Sequence, residues 1–311
     1  MSDFAPFAYP DTTSGTPRKC GVEIEFAGLS ETAVAEVLAE HFGGTARDSG
    51  PNELVVEGTA LGDLRVELDT VWRKAGLPIP EAGMELVREI VPVEIITAPL
   101  TPAEVAQFDS VLSPLREAGA IGSRGGVLLG FGVHLNPEVT GLDDPHTLAT
   151  IRAFGLLEDH LRRSAGIDTT RRLLPFVDPW PPALIDDLVA NPPQDMGAMM
   201  ALYARHTKNR NHGLDLLPLS MEYDPDRHSE LFPKDKTSPR PAFHFRLPDS
   251  RIDEPDWSLQ DAWQMWAKVE ETAADADRMT DLEMAWRAHR ARAFSRRGPW
   301  AERVGALLGA A

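Results

Sequence analysis

CGVEIEF, residues Cys20–Phe26, sets two glutamates one residue apart inside an otherwise apolar, β-prone run. Side chains two apart on a strand share a face, so this stretch turns Val22, Ile24 and Phe26 one way and Glu23 and Glu25 the other. The same division recurs along the chain. Leu64, Val66 and Leu68 oppose Arg65, Glu67 and Asp69; Val93, Ile95 and Thr97 oppose Glu94 and Ile96. Phe131, Val133 and Leu135 oppose Gly132, His134 and Asn136, while Phe243, Phe245 and Leu247 oppose His244 and Arg246. These strands predict a sheet with one apolar face and one face carrying functional groups.

An antiparallel sheet ordinarily keeps one wet side. The residue types here go further, because the polar faces hold Glu, Asp, His, Asn and Arg and no lysine. If helices cover that face, its carboxylates converge in a cleft, where each close pair repels by about 4 kcal/mol at 4 Å and an effective dielectric near 20. Several such pairs rival the whole stability of a domain, about 5–15 kcal/mol. Cations must then occupy the cleft, or the carboxylates must be protonated or lie apart. Oxygen ligands with an occasional imidazole suit Mg²⁺ or Mn²⁺ better than zinc.

Outward from these strands the pattern alternates irregularly with helices. Ser30 caps a helix bearing Val34, Val37, Leu38 and Phe42, which Gly43 and Gly44 stop. NELVVEG and LRVELDTV read as a hairpin, and a further helix is expected around residues 81–89. Thr101, Pro102 and Glu104 form a capping box with proline in the first turn, opening a helix that Pro114 shortens. Residues 146–206 read as a helical insertion interrupted by PFVDPWPPALIDD. Ser258 caps a last helical region carrying Trp263 and Trp266, whose indoles, like Trp257, are expected to pack on the sheet. The fold class is α+β. The expected organisation is a flexible N-terminal arm over 1–18, a catalytic domain over 19–270 containing the insertion, and C-terminal helices over 271–311 on the same domain.

Composition narrows the partners. The 311 residues carry 48 acidic against 31 basic side chains, a formal charge of -17, which disfavours phosphate backbones and anionic lipid. Nucleic acid and membrane are therefore not expected partners. The opening residues lack the early positive charge and apolar run of a signal peptide, and the single cysteine, Cys20, forbids an internal disulfide. A cytoplasmic protein is expected. No GxxxxGK[ST], HExxH or GxSxG motif is present, and GFGVHL fails GxGxxG at Leu135. Basic residues concentrate in RHTKNRNHG, Arg205–Gly213, as a solvated helix end or a phosphate-holding segment; Lys208 and Arg210 are its candidates for the second role.

GVEIEF, VEIITAPL, FGVHLNPE, NHGLDLLPL and FHFRLPDSR, taken in that order from about Lys19 to Trp266, resemble the amidoligase family. That family is a branch of the carboxylate-amine ligase superfamily, which includes glutamine synthetase and glutamate-cysteine ligase. The resemblance implies a glutamine-synthetase-like antiparallel sheet whose concave polar face holds ATP, divalent metal (Mg²⁺ or Mn²⁺) and an acid substrate. It also implies an ATP-dependent ligation through an acyl phosphate, joining a small-molecule or peptide acid to an amine. By position, Glu23, Glu25, Glu94 and His134 match metal ligands, with a substrate contact as the alternative for Glu94 and a phosphate-adjacent place for His134, and Arg246 matches an arginine facing the transferred phosphoryl group. His244 stands where many relatives carry glutamate, and Asp215 where they often carry asparagine. His244 can still ligate metal, though a neutral ligand lowers the negative charge of the site. Glu67 or Asp69 is the candidate base for the amine. Arg171 and Arg172 are candidates to clamp a substrate carboxylate, with an ion pair to a neighbouring helix as the alternative, and Asn136 is assigned to the substrate side. Two other functions stay open: a metal-dependent hydrolase using the same cluster, and a non-catalytic nucleotide- or peptide-binding protein on the ligase scaffold.

Overall fold

A computed structural model describes residues 4–51, 53–68, 92–124, 130–167 and 177–309. It is mixed helix and sheet, built on an eight-stranded sheet in which every ladder is antiparallel. In chain order the strands are β1 (Cys20–Phe26), β2 (Thr45–Gly50), β3 (Glu53–Thr59), β4 (Gly62–Leu68), β5 (Val93–Thr97), β6 (Val133–Pro137), β7 (Leu214–Asp215) and β8 (His244–Phe245). Across the sheet they run β2-β3-β4-β5-β1-β6-β8-β7. The ExE strand β1 therefore lies near the middle, between β5 and β6.

The apolar alternation becomes the core. Val22, Ile24, Phe26, Leu64, Val66, Val93, Ile95, Val133, Leu135, Phe243, Phe245 and Leu247 are all buried. Helix α1 (Glu31–Phe42) packs on β3 and β4, its start fixed by the Ser30 hydroxyl accepting from Ala33 N. Its stop is Gly43, at φ 78°, a conformation that costs other residues a Cβ clash. α2 (Pro102–Asp109) carries the full reciprocal capping box between Thr101 and Glu104, and α3 (Leu112–Ala118) resumes after a break at Ser110 and Val111. Gly28 permits the turn after β1: at φ 89°, a Cβ there would clash with Gly119 O.

The long α4 (Pro145–Ser164) and α9 (Leu259–Ala274) cover the β6/β8 end of the apolar face. Trp266 packs its ring 4.9 Å from Phe243 and 5.3 Å from Phe245, and Phe154 reaches Phe245 at 6.2 Å. Trp266 thus packs on the sheet, as expected, whereas Trp263 packs against Phe4 and Phe7 of the N-terminal segment. Between them run α5 (Pro182–Ala190), α6 (Met196–His206), α7 (Leu217–Tyr223) and α8 (Pro225–Leu231); α10 (Ala276–Arg290) and α11 (Arg297–Leu307) follow.

Three features depart from the sequence reading. Residues 4–18, expected as a flexible arm, are anchored at both ends, although most residues between are exposed: Phe4 and Phe7 are buried against Trp263, and Arg18 is buried against Glu270. The proline cluster is not only an interruption, because Pro182 begins α5 in its first turn, where a missing N–H costs nothing. Strand β2 has no apolar alternation, since all six of its residues are exposed at the sheet edge. The helix expected at 81–89 lies outside the described residues.

Candidate functional site

Strand register brings the polar residues together. Glu25 lies directly across from Glu94, and Glu94 from Glu67; on the other side of β1, Glu23 lies across from His134. Asp215 lies across from His244 on the adjoining β7/β8 pair. A single polar surface thus runs from β4 to β7, over which the segments around Arg210 and Arg240 are drawn.

Glu23 is the hub. Its Oε2 lies 2.7 Å from His134 Nδ1, while its Oε1 accepts from Asn136 Nδ2 at 2.9 Å and from the Arg240 guanidinium at 3.0 Å. Burial by itself raises the Glu23 carboxyl, but the His134 hydrogen bond and the neighbouring His244, His134 and Arg240 groups outweigh it and hold it well below the usual range. His134 Nε2 stands 3.7 Å from Glu25 Oε1, and its Nδ1 3.8 Å from Glu94 Oε1. Glu25 is held from behind by the Gly132 amide, 2.7 Å from its Oε2.

His244 is 5% exposed, and neither ring nitrogen makes a hydrogen bond among the described residues. Its Nε2 lies 3.8 Å from Glu23 Oε2 and its Nδ1 3.5 Å from Asp215 Oδ2. Burial pushes its pKa down to about 4, against the pull of Asp215 and Glu23, so the imidazole is neutral near pH 7. Asp215 is fully buried. Burial favours its neutral form, but His244, Arg210 and the Leu217 amide offset this and lower its pKa. Its Oδ1 accepts from Leu217 N at 3.0 Å and its Oδ2 lies 3.2 Å from Arg210 Nε.

Among the described residues, two groups here can hold a cation. Glu23, His134 and His244 form one and Glu25, Glu94 and His134 the other, each offering ligand atoms within 4.8 Å of one another. The donor set fits a divalent ion: carboxylate oxygen and imidazole nitrogen converge from separate strands, and the buried His244 ring has no hydrogen-bond partner among the described residues. The four residues matched to metal ligands in the sequence, Glu23, Glu25, Glu94 and His134, are therefore brought together, with His244 beside them.

The remaining candidates divide. Arg246 shares the face, is half-buried and donates from a terminal guanidinium nitrogen to the Arg210 carbonyl at 3.2 Å. Glu67 is half-buried farther out, bonded to Arg65 at 2.9 Å; burial raises its pKa, Arg65 opposes this and Glu53 adds to it. Asn136, assigned to substrate, uses its amide to hold Glu23. Lys208 and Arg210 line a pocket of about 500 Å³ together with Phe232, Lys234 and Asp235. Asp69, Arg171 and Arg172 lie outside the described residues. Arg240 was missed. It sits between two prolines in a segment with no periodicity, and no local signal joins it to β1.

A family model described as "Putative amidoligase enzyme" matches residues 16–268. Comparison with curated proteins and with solved structures gave no match.

Proposed function

The chain belongs to the amidoligase family, and we propose that it is an ATP-dependent carboxylate-amine ligase that forms an amide or peptide-like bond through an acyl phosphate. The observation that carries this reading is the pair of ligand groups sharing His134 on one sheet face. A carboxylate resists amines until it is activated, and phosphoryl transfer demands charge neutralisation more than covalent help from the protein. Bound divalent ions supply that neutralisation. Glu23, Glu25, Glu94, His134 and His244 hold them.

Arg246, on the same face, stabilises the equatorial oxygens of the transferred phosphoryl group. Lys208, Arg210 and Lys234 bring positive charge to a pocket that Arg210 links to Asp215, and that pocket takes the nucleotide phosphates. The substrate carboxylate attacks the γ-phosphorus and ADP leaves; the amine then attacks the acyl carbon and phosphate leaves. Glu67, whose partial burial raises its pKa toward the working range of a base, accepts the amine proton.

The test is ADP release from MgATP across panels of acids and amines. Glu23→Ala and Glu25→Ala should each abolish it while the variants keep the wild-type circular dichroism spectrum. Unchanged activity in both would remove the metal-dependent ligase reading, and consumption of a substrate without ATP would replace it with hydrolysis.

A further inference from the structure

The two ligand groups that share His134 are chemically unlike. One pairs two carboxylates, Glu25 and Glu94, with a single imidazole; the other, Glu23, His134 and His244, has two imidazoles and a single carboxylate. In this second group the carboxylate is further spoken for. Asn136 and Arg240 occupy Glu23 Oε1, while Oε2 is hydrogen-bonded to His134 Nδ1 at 2.7 Å and faces His244 Nε2 at 3.8 Å, so an ion seated between the rings takes Oε2 in place of that hydrogen bond. The Arg240 charge, 3.0 Å from Oε1, cancels much of the Glu23 charge at that point. A hard ion such as Mg²⁺ is held by carboxylate charge and oxygen donors, and this pocket supplies little of either. A borderline transition ion is held by imidazole nitrogen, and this pocket supplies two.

His244 gives the independent indication of a ligand. It is buried, its ring makes no hydrogen bond among the described residues, and Nε2 is directed at Glu23 Oε2. Asp215 Oδ2 stands behind it, 3.5 Å from Nδ1, anchored by the Leu217 amide and Arg210. The Asp215 charge 3.5 Å from Nδ1 favours the tautomer with its proton on that side, which leaves Nε2 as the nitrogen offered to metal.

Building on the metal-dependent reading of this cleft, we propose that Glu23, His134 and His244 form a transition-metal pocket, selective for ions such as Co²⁺ or Zn²⁺ over Mg²⁺, with Asp215 as the residue that positions His244. The carboxylate pair Glu25 and Glu94 is left as the harder half of the same cleft. The expectation of an oxygen-dominated site is thereby revised for this half.

The test reads binding, not turnover. The full chain, stripped with chelator, is titrated calorimetrically with Mg²⁺, Mn²⁺ and Co²⁺, and the visible d–d band of Co²⁺ is followed in parallel. Wild type should bind Co²⁺ more tightly than Mg²⁺ by on the order of 100-fold and develop the band. His244→Glu should shift the preference back toward Mg²⁺ by about tenfold or more and weaken the band, and Asp215→Asn should weaken Co²⁺ binding about 10-fold. Circular dichroism confirms that each variant is folded; His244→Ala serves if His244→Glu is not. Equal affinity for Mg²⁺ and Co²⁺, a Co²⁺ preference untouched by the folded His244 variant, or no divalent binding at all would each overturn the assignment. ADP release, assayed separately, tells the two readings apart: Co²⁺ selectivity that depends on His244 in a protein that never releases ADP keeps this pocket and removes the ligase reading.

Discussion

Glu23 and Arg240, 217 residues apart in the chain, meet at 3.0 Å on the polar face of the sheet. The guanidinium satisfies one oxygen of a buried carboxylate and stands where cation charge would otherwise be needed. Arg240→Leu should therefore destabilise the metal-free protein by about 1.5–3 kcal/mol, the range for a hydrogen bond to a charged group. Divalent ion should restore more stability to the variant than it adds to wild type, because it replaces the missing positive charge. Thermal melts of both proteins with chelator and with Mn²⁺ check this; equal metal-induced shifts would contradict it.

The register Glu67, Glu94, Glu25 across β4, β5 and β1 puts like charges opposite one another, which costs each neighbouring pair up to about 1 kcal/mol. Glu94→Gln removes the central charge. It should raise the stability of the metal-free protein by up to about 1 kcal/mol and reduce the stabilisation that Mg²⁺ confers. A variant destabilised in chelator would mean that the row is already neutralised by other means.

Lys208 and Lys234 line the pocket beside Arg210. If they meet nucleotide phosphates through charge alone, the double change Lys208→Ala with Lys234→Ala should raise the KM for ATP about tenfold and leave kcat near wild type, the pattern of lost uniform binding. Steady-state kinetics at varied ATP separates this from a fall in kcat, which would place the lysines at the reacting phosphoryl group.

The sheet was legible because burial and strand alternation are local facts. Glu23, Glu25, Glu94, His134 and His244 announce themselves by alternating one for one with apolar residues, and register then gathers them without further information. The capping box at Thr101 and the Ser30 cap were likewise written in adjacent residues. What escaped was set by distant contacts. Arg240 reaches Glu23 from an aperiodic proline-flanked segment, and Phe4 and Phe7 find Trp263 across the length of the chain. Strand β2, exposed throughout, has no apolar face to betray it. The pairing of Asp215 with His244 was hidden for the same reason, although both residues had been noted separately as departures from the family pattern.

The contact that ties the N-terminal segment to the body is the buried pair Arg18 and Glu270, with guanidinium nitrogens 2.6 and 3.0 Å from the two carboxylate oxygens. Trp266 Nε1 also donates to Glu270, and Arg18 donates to the carbonyls of Tyr9 and Glu138. Removing one partner strands a charge where water cannot reach it, so Glu270→Gln should cost about 3–5 kcal/mol at neutral pH. The pH dependence has a definite sign. Burial favours the neutral acid, but hydrogen bonding to His146 and Arg18 and their charges outweigh this and lower the Glu270 pKa below its ordinary 4.5. The unfolded chain therefore takes up the proton first, and the contribution of the pair is fully present above pH 4.5 and is lost as pH falls through the depressed folded value. Urea unfolding of wild type and Glu270→Gln between neutral pH and pH 3 should give two stability curves that converge on acidification, since the variant has no carboxyl to protonate at this position. A gap that stays constant across that interval would show that packing around Trp266, and not the ionised pair, anchors the segment.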